Sequence, residues 1–164
     1  RYFVVDKERD EEGKIISSTY IREMLADGNI IKANKLLGYY YFVTGTVQHG
    51  NAIGHTKLYP TANLIPPAVK HLPKFGVYVT RVTVDGKTYG GLTNVGAKPT
   101  ISGENPVGVE TYLYNFEGDL YGKDMKVELL DFVRPEMKFE SIDALKAQLD
   151  HDIKECQRRY LEFA

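Results

Sequence analysis

The side chains best suited to chemistry gather at three places in this 164-residue chain. The first is YPTANLI, residues 59–65, where Thr61 and Asn63 stand two apart in a stretch of strand composition. Side chains alternate along a strand, so this spacing puts a hydroxyl and a carboxamide on one face. Neutral oxygens of that kind suit a hard cation such as Mg²⁺, which takes its other ligands from phosphates and water and does not demand carboxylates. Local turn and cap hydrogen bonding would use the same two residues. The second place is Glu110, which alternation puts on one strand face with Tyr112 and Tyr114. A carboxylate there is either a solvated outer-face group or, if the face lines a cleft, a general base for the proton of an attacking hydroxyl. The third is GTVQHGNAIGHTKLYPTAN. Its Gly45, Gly50 and Gly54 allow a loop to bring backbone N–H groups up to an anion, or simply make a flexible hairpin connection.

Other chemistries lack their residues. Gly45 and Gly50 have the spacing of a phosphate loop, but Asn51 and Ala52 follow where Lys and Ser or Thr are required. There is no His-Glu-x-x-His, Gly-x-Ser-x-Gly or Gly-x-Gly-x-x-Gly. The four histidines, His49, His55, His71 and His151, have no metal-ligand spacing. With 21 basic against 22 acidic residues, the balance offers no footprint for nucleic acid or an anionic membrane. The single cysteine, Cys156, excludes an internal disulfide and a Cys-rich zinc site, and fits a reducing compartment. No apolar run approaches the roughly 20 residues of a membrane span, and there is no signal-peptide core, so a cytoplasmic location is expected. The chain opens on Arg1 rather than Met, which suggests a fragment or a processed product.

The elements that must position these residues are legible in outline. Residues 1–14 read as a strand end and a charged surface loop, followed by a helix with hydroxyls at Ser17 to Thr19 and a stop at Gly28. A second short helix is predicted over Ile30 to Leu37, ending at Gly38. The two together have few residues with which to form a core. From Tyr39 the pattern turns to short strands: Tyr40 to Gln48, Thr61 to Ile65, Gly76 to Val84, Lys87 to Val95, Val109 to Phe116 and Lys126 to Val133. Asp85-Gly86 predicts a type I′ hairpin turn. Ser141 then caps a long amphipathic helix marked by Ile142, Leu145, Leu149, Ile153, Cys156 and Tyr160. Closely spaced antiparallel strands and one terminal helix predict a mainly β fold, a small closed or partly closed barrel with the helix packed outside.

The combination of GHTKLYPTAN, TNVGAKPTI, VETYLYNFEGDLYG and RPEMKFESIDALKAQLDHDI, in that order, resembles the riboflavin kinases. In particular it is similar to the kinase module of the bacterial bifunctional riboflavin kinase/FAD synthetases. The likeness runs from about Gly38 to the C-terminus, and ISSTYIREMLADGNIIKANKLLG upstream resembles the end of the adenylyltransferase module that precedes the kinase in those proteins. The resemblance implies a six-stranded Greek-key antiparallel barrel with a C-terminal helix. It divides the chain into an adenylyltransferase remnant at 1–38 and a kinase domain at 39–164. The implied activity is transfer of the γ-phosphate of ATP to the ribityl 5′-hydroxyl of riboflavin, giving FMN and ADP. The implied cofactor is Mg²⁺ and the implied partners are the flavin and the nucleotide, with no nucleic acid or membrane.

By the same resemblance Thr61 and Asn63 hold Mg²⁺ and ATP phosphates, Gly50, Gly54 and Lys57 belong to the loop over the nucleotide, and Glu110 is the base. Asn94, Tyr112 and Arg134 are the expected flavin contacts. The family commonly has Gly-Arg-x-Leu-Gly-x before Pro-Thr-Ala-Asn, whereas this chain has His55 in place of the Arg and Leu58 in place of the second Gly. That departure motivates a rival reading, a flavin-binding barrel with weakened turnover. A generic barrel for single-stranded nucleic acid has aromatic residues in its favour but no basic groove. Ile16 to Arg22 resembles the Ile-Ser-Ser-Thr-x-x-Arg signature of the nucleotidyltransferase superfamily, which in that superfamily works with a His-x-Gly-His phosphate site that this chain lacks. Conversion of FMN to FAD is therefore expected of an intact parent protein and not of this chain.

Overall fold

A computed structural model describes residues 2–48, 59, 61–97 and 107–164. Helices α1 (Ser18–Asp27) and α2 (Ile30–Leu37) come first, started by Ser17 and Asn29 side chains that accept from Tyr20 and Lys32 backbone N–H groups. Each stops at a glycine in the left-handed region, Gly28 and Gly38, where a residue with a Cβ would be strained. The strands β1 (Phe42–Thr46), β2 (Ala62–Leu64), β3 (Gly76–Val84), β4 (Lys87–Ala97), β5 (Val107–Leu113) and β6 (Asp124–Pro135) follow, and α3 (Ile142–Tyr160) ends the fold. All pairings are antiparallel, in the order β1-β6-β3-β4-β5-β2. Gln48, just past β1, bridges to Asn63 of β2, so the two outer strands meet and the barrel is nearly closed. The β3–β4 connection is the expected tight hairpin, with positive φ at both Asp85 and Gly86.

Strand alternation sorts the side chains into two layers. Val43, Leu64, Tyr78, Val82, Val95, Val109 and Leu129 fill the inside of the barrel. On the outer wall Val77, Val79, Leu92, Tyr114 and Leu130 meet Cys156 of α3, with Ile153 and Tyr160 packed beside it. Inside, Thr80, Thr93 and Thr111 are fully buried and satisfy one another in a hydroxyl chain across β3, β4 and β5, at 2.9 and 2.8 Å.

The first two helices do not stand alone. Leu25, Ile30 and Ala33 join the barrel's own core, and Asn34 ties α2 to β6 and to Tyr41 just before β1. Its amide donates to the Leu129 carbonyl at 2.8 Å and its oxygen accepts from the Tyr41 backbone at 2.7 Å. Two expectations need correction. Tyr2, Phe3, Val4 and Val5 are exposed and form no strand, because no strand among the described residues lies beside them to complete the hydrogen bonds. Ile142, predicted to head the buried stripe of α3, is exposed, since the helix meets the wall only further along.

Candidate active site

The register of the sheet gathers the polar residues singled out from sequence. Asn63 of β2 lies opposite Glu110 of β5, Glu110 opposite Asn94 of β4, Asn94 opposite Val77 of β3, and Val77 opposite Arg134 of β6. Directly opposed residues share a face, so these five form one row across the barrel. Val77 packs with the outer layer, which fixes the row on the outside wall. Two positions along, Gly96 faces Gly108 on the same side and leaves bare backbone beside Asn94 and Glu110. A Cβ at Gly96 would come within 1.8 Å of the Glu136 carboxylate, so that side chain lies directly over the glycine.

Glu110 is the centre of the group. Thr61, immediately before β2, donates its hydroxyl hydrogen bond to Glu110 Oε1 at 2.6 Å. Tyr112, next on the same face, meets the ring of Tyr59 at 5.5 Å and that of Tyr114 at 5.8 Å. The Tyr59 hydroxyl donates to Asp150 of α3, and this bond holds the phenol above its ordinary pKa. The structure therefore brings together Thr61, Asn63, Glu110, Asn94 and Tyr112. Arg134 lies at the far end of the row, three strands from Glu110 or roughly 14 Å at ordinary strand spacing. Gly50, Gly54 and Lys57, like His55 and Leu58, fall outside the described residues.

Arg134 is held on α3. Its Nε and Nη2 donate to Asp152 Oδ2 at 2.9 and 2.7 Å, its Nη1 donates to the Pro135 carbonyl at 3.0 Å, and Gln148 donates to the other Asp152 oxygen at 2.8 Å. Sequence reasoning missed Asp150 and Asp152, and also the part of Tyr59. The available signal was Asp152 itself, a carboxylate three residues after Leu149 and four before Cys156 on the stripe meant for burial.

Two alternatives can be set aside on chemical grounds. Burial pushes the Cys156 thiol up to about 12, so it is no thiolate nucleophile. Among the described residues no group of three or more His, Cys, Asp and Glu could hold a metal ion. The donors near Glu110 are instead a hydroxyl and a carboxamide. That set fits a hard divalent cation that shares its coordination with phosphate oxygens and water.

Fold and site define a class: an antiparallel barrel whose outer wall carries a carboxylate bonded to a threonine at a strand mouth, with a helix laid beside it. Within that class, residues 37–160 match the family model described as flavokinase, riboflavin kinase, and the chain belongs to the riboflavin kinase family. The bifunctional riboflavin kinase/FMN adenylyltransferase of Listeria monocytogenes is 38% identical over 149 residues, covering 91% of this chain and 47% of that protein. The protein of the same description from Escherichia coli K12 is 40% identical over 143 residues, covering 87% of this chain and 45% of its own length. A solved structure from Streptococcus pneumoniae, described as a macrolide-efflux protein, superimposes with a TM-score of 0.82 at 40% identity, over 93% of this chain and 50% of that one. The chain spans about half the length of the curated relatives it matches. Among its described residues no helix is long and apolar enough to cross a membrane.

Proposed function

We propose that this chain transfers the γ-phosphate of ATP to the ribityl 5′-hydroxyl of riboflavin, with Mg²⁺, giving FMN and ADP. The observation that carries the reading is the Thr61–Glu110 hydrogen bond with Asn63 alongside, set in a chain of the riboflavin kinase family. Glu110 accepts the proton of the ribityl hydroxyl as its oxygen bonds to the γ-phosphorus, and the bond from that phosphorus to the β–γ bridging oxygen breaks to release ADP. Thr61 and Asn63 hold the metal ion and orient the phosphates. The ion, when bound, supplies electrostatic stabilisation of charge building on the phosphate oxygens. Asn94 and Tyr112 contact the flavin beside Glu110.

Arg134 orders the flavin side through its hold on α3. Gly50, Gly54 and Lys57 complete the nucleotide side. Residues 1–38 are assigned to the end of an adenylyltransferase module and 39–164 to the kinase domain, with the cytoplasm as the place of action.

The test is to incubate the chain with riboflavin, ATP and Mg²⁺ and to separate the flavins. FMN with stoichiometric ADP, and no FAD, is expected. Flavin fluorescence quenched by binding, with no ADP formed, would contradict the kinase reading.

A further inference from the structure

Thr61 and Asn63 depend on a strand of only three residues, β2, paired to β5 along its length and bridged to Gln48 at one point. So short a ladder fixes the register of a strand better than its direction of approach, and the chain leading into it needs another anchor. Tyr59, two residues before Thr61, provides one, with its ring on Tyr112 and its hydroxyl on Asp150 of α3. Two residues further along the same helix, Asp152 accepts two hydrogen bonds from Arg134 and is steadied by Gln148. The helix itself is fixed to the barrel by Ile153, Cys156 and Tyr160, and by Arg159 on Asp131 at 2.9 Å. One rigid element thus grips both ends of the polar row, β2 through Asp150 and β6 through Asp152.

We infer that Tyr59 is a positioning residue for phosphoryl transfer: docked on Asp150, it sets the direction in which Thr61 and Asn63 are presented, and α3 holds that direction in register with Arg134. The inference rests on the kinase reading above. Phosphoryl transfer depends on alignment of hydroxyl and phosphates more than on covalent help from the protein. A small swing of β2 therefore shows in nucleotide use before it shows in the stability of the barrel. Tyr59 acts through Thr61 and Asn63 and touches no reacting atom.

Tyr59→Phe keeps the ring on Tyr112 and removes only the hydroxyl. The expected result is a rise of ~5-fold in KM for ATP, with KM for riboflavin and the melting temperature nearly unchanged. Asp150→Ala should match it, Asp150→Asn, which retains an acceptor oxygen, should recover most of the loss, and the double variant should be no worse than either single one. Amide hydrogen exchange at Ala62, Asn63 and Leu64, which needs no turnover, should quicken in Tyr59→Phe and Asp150→Ala while β3 and β4 stay protected. Unchanged KM for ATP, additive losses in the double variant, equal rises in both KM values with a lower melting temperature, or unaltered exchange at 62–64 would each overturn the inference. Wild-type protein that forms no FMN would overturn the kinase reading, and the exchange comparison would still decide whether Tyr59 docks β2 on α3.

Discussion

Asp152 is 1% exposed and carries a charge, which is tolerable only because Arg134 and Gln148 between them satisfy both of its oxygens. Removing one partner of a buried pair leaves the other uncompensated, so Arg134→Ala should lower the unfolding free energy by about 3 kcal/mol. Urea denaturation measures this, and a loss below about 1 kcal/mol would show that water or Gln148 replaces the guanidinium. The sequence offered Arg134 through its Arg-Pro-Glu setting but marked its partner only by the place of Asp152 on the apolar stripe, while Gln148, Asp150 and His151 around it read as a solvated helix face. Glu110, Thr61 and Asn63 were easier to read. Period-two alternation gives each of them its strand face, but what brings Asn63 opposite Glu110 is the pairing of β2 with β5, a long-range contact that no local pattern marks.

At the scale of elements, the strands were read to within a few residues because Val, Thr and Tyr alternate in them and Asp85-Gly86 forces the sharpest turn. The place of α1 and α2 was not legible. Their attachment runs through Asn34, whose bond to Leu129 joins residues 95 apart, and no local pattern marks such a contact. Asn34→Ala would leave the Leu129 carbonyl and the Tyr41 amide without that partner in a buried setting, at a cost of about 2 to 3 kcal/mol. Thermal melting of the variant should fall accordingly. Asn34→Asp, which keeps the acceptor for Tyr41 and loses the donor to Leu129, should fall as well, and an unchanged midpoint in both would mean that the helices rest on the barrel through Leu25, Ile30 and Ala33 alone.

For the whole molecule, acid is the condition that loosens these ties together. The hydrogen bond from the Tyr20 hydroxyl, foremost, holds Asp10 down to about 2, and Arg158 followed by Arg159 holds Glu155 down to about 2. Burial opposes ionisation of Glu128, but Arg81 and Lys126 together outweigh it and the group lies below its ordinary value. Each carboxylate titrates lower when folded than when unfolded, so its contribution is present above the unfolded value and is lost as pH falls through the folded one. The melting temperature should hold from about pH 7 to about pH 5 and then fall steadily toward about pH 2, with a shallower fall in Asp10→Asn. A midpoint that stays level down to about pH 3 would show that these pairs do not support the fold. The central claim concerns the chemistry on the outer wall, and Glu110→Gln tests it most directly because the amide keeps an oxygen to accept from Thr61 while losing the base. The rate of FMN formation at saturating riboflavin and ATP should drop ~10²- to 10⁴-fold with the melting temperature retained, and an unchanged kcat would contradict the account.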